Sequence, residues 1–114
     1  MLNPLSEVPG QIATDKTRKG NFWELHVIRE AWRRGAEVFP NAGGTGPVDL
    51  VLHHKGKTLM CDVKSMRFQN KCWKSCGRNV PKGIHVIHVN PLTEEIRWTK
   101  GREPKEWESF WDKL

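Results

Sequence analysis

No apolar run in these 114 residues approaches the ~20 that a helix needs to cross a bilayer, so a helical membrane span is excluded. The opening residues, Met1, Leu2, Asn3 and Pro4, carry no basic stretch followed by an apolar one, and no secretory signal peptide is expected. Only three cysteines are present, which do not make a disulfide framework. The expected compartment is reducing, that is, cytoplasmic. Internal repeats and low-complexity tracts are also missing. The glycine-rich stretch 41–46 is not followed by Gly-Lys-Ser/Thr, which excludes a phosphate-binding P-loop. Its glycines could instead let a DNA backbone approach closely.

Acid is missing from one long segment. Residues 63–93 hold Lys64, Arg67, Lys71, Lys74, Arg78 and Lys82 but no Asp or Glu. The segments on either side nearly balance, at +1 for 1–62 and −1 for 94–114, so the whole +6 excess of the chain lies between them. Phe68 and Trp73 interleave with those cations. Such a pattern suits phosphate contacts, with base stacking where DNA is unpaired. A solvated loop charged for solubility is the plain alternative. Lys16, Arg18 and Lys19 form a second, smaller basic group.

What is present fits one domain over 1–114, with 1–15 as an N-terminal arm. Apolar runs at 48–53 and 58–63 predict two strands, with 54–57 as the hairpin turn. Alternation along a strand puts Asp62 and Lys64 on one face. Antiparallel pairing brings Asp49, early on the first strand, beside them. Two carboxylates and an ammonium at one end of an apolar hairpin cost several kcal/mol, roughly, unless paired or metal-bound. A surface ion pair with Asp49 near a turn is the structural alternative. The chemical one is metal-assisted phosphodiester cleavage. Mg²⁺ takes hard oxygen ligands, often one or two carboxylates plus waters, and a nearby lysine orients water or stabilises charge.

Residues 21–35 predict an amphipathic helix ended by Gly35. Glu24, Val27, Ile28 and Ala31 fall on one stripe, while Arg29, Glu30, Arg33 and Arg34 face solvent. An acid on an apolar stripe needs a reason. Asn21 with Glu24 three positions on resembles a capping box, a role that does not exclude a metal.

The series Lys19-Gly20, Glu24 opening a helix, Gly35 to Phe39, a glycine-rich loop, Gly46-Pro47-Val48-Asp49 and Asp62-Val63-Lys64 resembles the PD-(D/E)XK nuclease superfamily. Within it, the likeness is greatest to archaeal-type Holliday junction resolvases and related small phage endonucleases, over residues 19–64. The resemblance implies an α/β fold with a restriction-endonuclease-like core, a mixed central β-sheet flanked by helices. It implies Asp49, Asp62, Glu24 and the Val63 carbonyl as metal ligands, Lys64 as catalytic lysine, and Mg²⁺ as the metal, with Mn²⁺ substituting. Two departures stand out. Val48 separates Pro47 from Asp49, and Asp62 stands where resolvases usually carry Glu.

The remaining segments predict structure. Residues 84–89 read as a buried strand, 94–98 as another, and 104–113 as a closing helix with Trp107, Phe110 and Trp111 at core spacing. Cys72 and Cys76 have a spacing that zinc could use, but two more ligands are lacking, and Cys61 points away from Asp62 into the core. His85 and His88 face opposite sides of their strand. His53, on the same strand face as Asp49, reads more readily as a strand-end surface residue than as a catalytic one. The reading that follows is a Mg²⁺-dependent endodeoxyribonuclease. Glu24, Asp49, Asp62 and Lys64 form its site, and branched DNA is the substrate on resemblance. Lys16, Arg18, Lys19, Arg67, Lys71, Lys74, Arg78 and Lys82 grip that DNA, and two symmetric cuts call for a homodimer. A nicking or site-specific endonuclease on linear duplex, and a non-catalytic DNA-binding module, are the alternatives.

Overall fold

The structure, a computed structural model, describes residues 16–69, 72–74 and 80–114, without the side chains of 16–18, 68, 69 and 72–74. Among the described residues, one helix, α1 (Lys16–Arg33), precedes seven strands. These are β1 (Glu37–Pro40), β2 (Leu50–His54), β3 (Lys57–Ser65), β4 (Arg67–Gln69), β5 (Cys72–Lys74), β6 (Ile84–Val89) and β7 (Ile96–Trp98). Five of them form a mixed sheet in the order β1-β2-β3-β6-β7, antiparallel throughout except for the parallel β3–β6 pair. The expected α/β fold with a mixed central sheet is therefore present. Parallel neighbours need a long crossover, and here that crossover carries the small antiparallel ribbon β4–β5.

The register sorts the side chains of the sheet. Leu50 lies opposite Cys61 and Leu52 opposite Leu59, and across the parallel pair Val63 lies opposite Ile87. These residues share one face, and α1 covers it. Trp23, Val27 and Ala31 recur at four-residue spacing and are buried with Leu50, Leu52, Cys61, Ile87 and Val89 in one cluster. The other face carries Val51, Met60, Asp62, Lys64, Val86 and His88, by the same alternation.

Several expectations need correction. The helix begins at Lys16, so Asn21 is an interior residue and no cap. Its end is as expected: the Ala36 amide donates to the Ala31 carbonyl and the Gly35 amide to the Trp32 carbonyl, with Gly35 at φ 93°. That is a Schellman ending, and buried Ala31 and Ala36 supply its apolar contact. Glu30 and Arg34 do not face solvent; they pair at 2.7 Å with side chains only 14% and 12% exposed. The hairpin turn is two residues, Lys55 and Gly56, both at positive φ. Such a turn matches the twist of the strands, so His54 and Lys57 are drawn into the ladder.

The strand expected over 94–98 is shortened to Ile96–Trp98, and no helix forms over 104–113. Glu106 has φ 71°, and the amides of Trp107, Phe110 and Asp112 donate three residues back rather than four. Aromatic packing decides this. Trp98, Trp107, Phe110 and Trp111 stand with ring centroids 4.7 to 6.2 Å apart, and the Trp98 indole donates to the Trp107 carbonyl at 2.8 Å. Among the described residues no helix is long and apolar enough to cross a membrane.

Candidate active site

Asp49, just ahead of β2, is held between β3 on one side and the end of β1 on the other. Its amide donates to the Cys61 carbonyl at 2.9 Å, one step beyond the ladder of β2, and its carbonyl accepts from the Asn41 amide at 3.0 Å. Its carboxylate Oδ2 accepts the Val63 amide at 2.7 Å. The residue is thus held by backbone on each side, and its orientation does not depend on a long flexible arm. Asn41 closes the glycine-rich loop that leads to Asp49. Its Nδ2 donates to the carbonyls of Thr45 at 2.6 Å and Val48 at 2.9 Å, and its Oδ1 accepts the Gly44 amide at 3.1 Å. The sequence reading did not single out Asn41. An Asn opening a glycine-rich loop is the signal that could have found it.

Asp62 lies beside Asp49. It is only 6% exposed, and its carboxyl is within hydrogen-bonding reach of the Asp49 carboxyl. Lys64, two positions on and on the same face, places Nζ 3.1 Å from Asp62 Oδ2. Burial pushes the Asp62 carboxyl up from an ordinary 3.8 to about 6. The hydrogen bond and negative charge of Asp49 add to that rise, and Lys64 opposes it without cancelling it. Glu24, half-buried on α1, is also raised, first by burial, then by Asp49, with Lys64 again opposing. The two strands and the helix therefore bring Glu24, Asp49, Asp62 and Lys64 into one electrostatic neighbourhood; the hairpin pattern predicts the meeting of the last three, and only the family resemblance implies Glu24 beside them.

Three carboxylates share one ammonium in this site. Ionised together, they leave an excess of negative charge in a partly buried place, and Asp62 meets it by holding its proton more tightly. A hard divalent cation would relieve the same excess, and carboxylates with a backbone carbonyl are a donor set it accepts. Among the described residues no three His, Cys, Asp or Glu side chains are already grouped as a metal cage. The contacts at hand are those of two touching aspartates with a third acid nearby, an arrangement suited to a metal that keeps several of its waters.

Other candidates fall elsewhere. His53 Nδ1 lies 2.8 Å from Thr58 Oγ1 near the hairpin turn, away from Asp62. Cys61 is fully buried in the core, where desolvation pushes its thiol up to about 12. Of the basic residues, Arg67 is exposed just beyond β3, and the register of β4–β5 sets it opposite Lys74. Lys82 sits in the turn before β6, four residues ahead of Val86, the neighbour of Asp62, and so does not join the cluster. Lys19 lies on α1 one turn and more before Glu24. Lys71, Cys76 and Arg78 lie outside the described residues, as do the side chains of Lys16, Arg18, Cys72, Trp73 and Lys74.

Compared with known proteins, the chain matches no family profile and no curated sequence. Among solved structures it is similar to a bacterial homing endonuclease, I-Ssp6803I, with a TM-score of 0.63 and 19% identity. The likeness covers 76% of this chain and 66% of that one, a little under two thirds of its length. The chain thus shares its fold with a solved endonuclease.

Proposed function

We propose that the chain is a metal-dependent endonuclease that hydrolyses phosphodiester bonds in DNA. The observation that carries this reading is the contact of Asp62 with both Asp49 and Lys64 at the β2–β3 junction, with Asp62 nearly buried. Asp49 and Asp62 would hold the metal, aided by Glu24 and the Val63 carbonyl. Mg²⁺ is the metal proposed, with Mn²⁺ able to replace it. Bound there, such an ion supplies Lewis-acid polarisation of the phosphoryl oxygen and acidifies a coordinated water.

The chain's own residues supply the rest. Val63 N–H fixes the Asp49 carboxylate, so one ligand is set before any metal arrives. Lys64, with Nζ 3.1 Å from Asp62 Oδ2, would orient the attacking water and face the charge that builds on phosphorus. Attack is in line with the departing oxygen. The acid-free segment from Lys64 to Lys82 offers cations for phosphates on either side.

Two substrate readings follow. The fold neighbour is named as a homing endonuclease and not as a resolvase, which supports cutting of linear duplex. The sequence likeness to junction resolvases supports branched DNA, cut twice by a symmetric homodimer. The intact set of Glu24, Asp49, Asp62 and Lys64 argues against a module that only binds.

The test is cleavage of end-labelled linear duplex and four-way junction, each in Mg²⁺ and in EDTA. Cuts that need Mg²⁺ and vanish in Asp62→Ala, with DNA binding retained, are expected. Paired cuts in the junction alone would select the resolvase reading. Normal cutting by Asp62→Ala would remove the site assignment, and binding without any cut would leave a pure DNA-binding module.

A further inference from the structure

The register across β3, β6 and β7 sets Lys64 opposite His88, and His88 opposite Arg97. Residues directly opposite share a sheet face, and Lys64 shares its face with Asp62. A row therefore starts at the candidate site and ends on the edge strand. At the usual strand spacing the Arg97 Cα stands about 10 Å from that of Lys64.

Arg97 is exposed, and its fork is nearly unfilled. Among the described residues the acceptor it meets is the Met66 thioether, 3.7 Å from Nη2, which is a weak partner for a guanidinium. No carboxylate lies within ion-pair distance of it among the described residues, although Glu94 and Glu95 come shortly before it in the chain. Arg33 and Arg34, by contrast, both bind Glu30. Arg97 nevertheless rests on a fixed neighbour. Met66 beneath it is buried, with its amide bonded to the Val89 carbonyl at 2.8 Å. The charge also reaches His88, whose imidazole is held down first by burial and then by Arg97. His88 itself lies between the two cations with Nε2 3.4 Å from Thr99 Oγ1, so it is spoken for.

A guanidinium presented by a strand, with its donors open and on the face of the catalytic cluster, suits a phosphate. We infer that Arg97 is a DNA-backbone anchor, binding a phosphate near the scissile one on the strand that enters the Asp49–Asp62–Lys64 site. The inference rests on the endonuclease reading and adds a direction to it: the DNA runs across the sheet from β3 over β6 to β7. Phosphate contacts of this kind set register and carry no sequence information.

The experiment measures binding of the full chain to a labelled 30-base-pair duplex across a salt series in EDTA, with cleavage followed separately in Mg²⁺. Three proteins are compared: wild type, Arg97→Met and Arg97→Lys. Methionine keeps the packing on Met66 and removes the charge. Loss of one phosphate contact lowers the salt slope by about 0.9 and weakens binding about five- to tenfold at low salt. Arg97→Met should show both changes and a raised KM with kcat little altered, while Arg97→Lys should recover the slope. A slope unchanged in Arg97→Met, in a protein whose wild type binds and cuts, would overturn the anchor and leave the endonuclease reading standing. A wild type that neither binds nor cuts would overturn both. A slope that falls equally in Arg97→Met and Arg97→Lys would mark a packing role and also overturn the anchor.

Discussion

Asp62 is held where a carboxylate is costly, and the cost has a measurable direction. The folded chain keeps the Asp62 proton until about pH 6, whereas the unfolded chain releases it near 3.8. Between those values folding takes up a proton, so this group's contribution falls as pH rises and is fully lost above about 6. Asp62→Asn removes the penalty. In EDTA it should therefore be more stable than wild type at pH 7.5, by on the order of 2 kcal/mol, with the difference closing toward pH 4. Urea melts of both proteins at the two pH values measure it. A variant that is dead in cleavage but gains stability would mark Asp62 as kept for chemistry; equal stability at both pH values would mean that Asp62 is not strained. At this scale the site was largely legible. Period-two alternation placed Asp62 and Lys64 together, and hairpin pairing added Asp49. Arg97 was not legible, because segment charge counting buried it among Glu94, Glu95 and later acids. Only the pairing of β7 with β6 brings it to the face of Lys64.

Elements were legible where one local signal governed them and obscure where tertiary packing did. Gly35 ended α1 as expected, because a left-handed residue there completes the backbone bonds. The start of α1 was misplaced. Asn21 resembles a cap, yet the apolar stripe of Trp23, Val27 and Ala31 holds the helix from one turn earlier. The closing segment failed for a related reason: helical spacing of Trp107, Phe110 and Trp111 is also satisfied by successive tight turns once Trp98 offers an aromatic wall. The hairpin turn allows a direct check. Lys55 and Gly56 adopt φ of 51° and 77°, and a Cβ at Gly56 would meet nothing within 4 Å. Gly56→Ala therefore acts through backbone conformation alone and should cost about 1 kcal/mol. Lys55→Asn should act in the opposite direction, since Asn tolerates the left-handed region in such turns. Thermal melting reads both, with a Tm drop of about 4 °C expected for the alanine variant. A harmless Gly56→Ala would mean that the turn relaxes without disturbing the β2–β3 register that aligns Asp49 with Asp62.

For the molecule as a whole, the number of sites matters most. The described residues form one acid–lysine cluster, served by one sheet face and one helix. Two cuts from one cluster require either two copies or two successive visits. These routes separate kinetically. A protein that assembles as a symmetric pair on its substrate converts supercoiled circular DNA to the linear form with little nicked intermediate once concentration favours the pair. At limiting protein it should leave nicked circles, and the linear product should then rise more steeply than in proportion to protein. A protein that acts as a single copy would accumulate nicks at every concentration, with linear product appearing only late. A gel time course over a hundredfold range of protein in Mg²⁺ distinguishes them. The paired outcome is expected, because a net charge of +6 would gather copies on one DNA and raise their local concentration above that in free solution. Nicks at all concentrations would remove the homodimer and, with it, the branched-DNA reading that requires symmetric cuts.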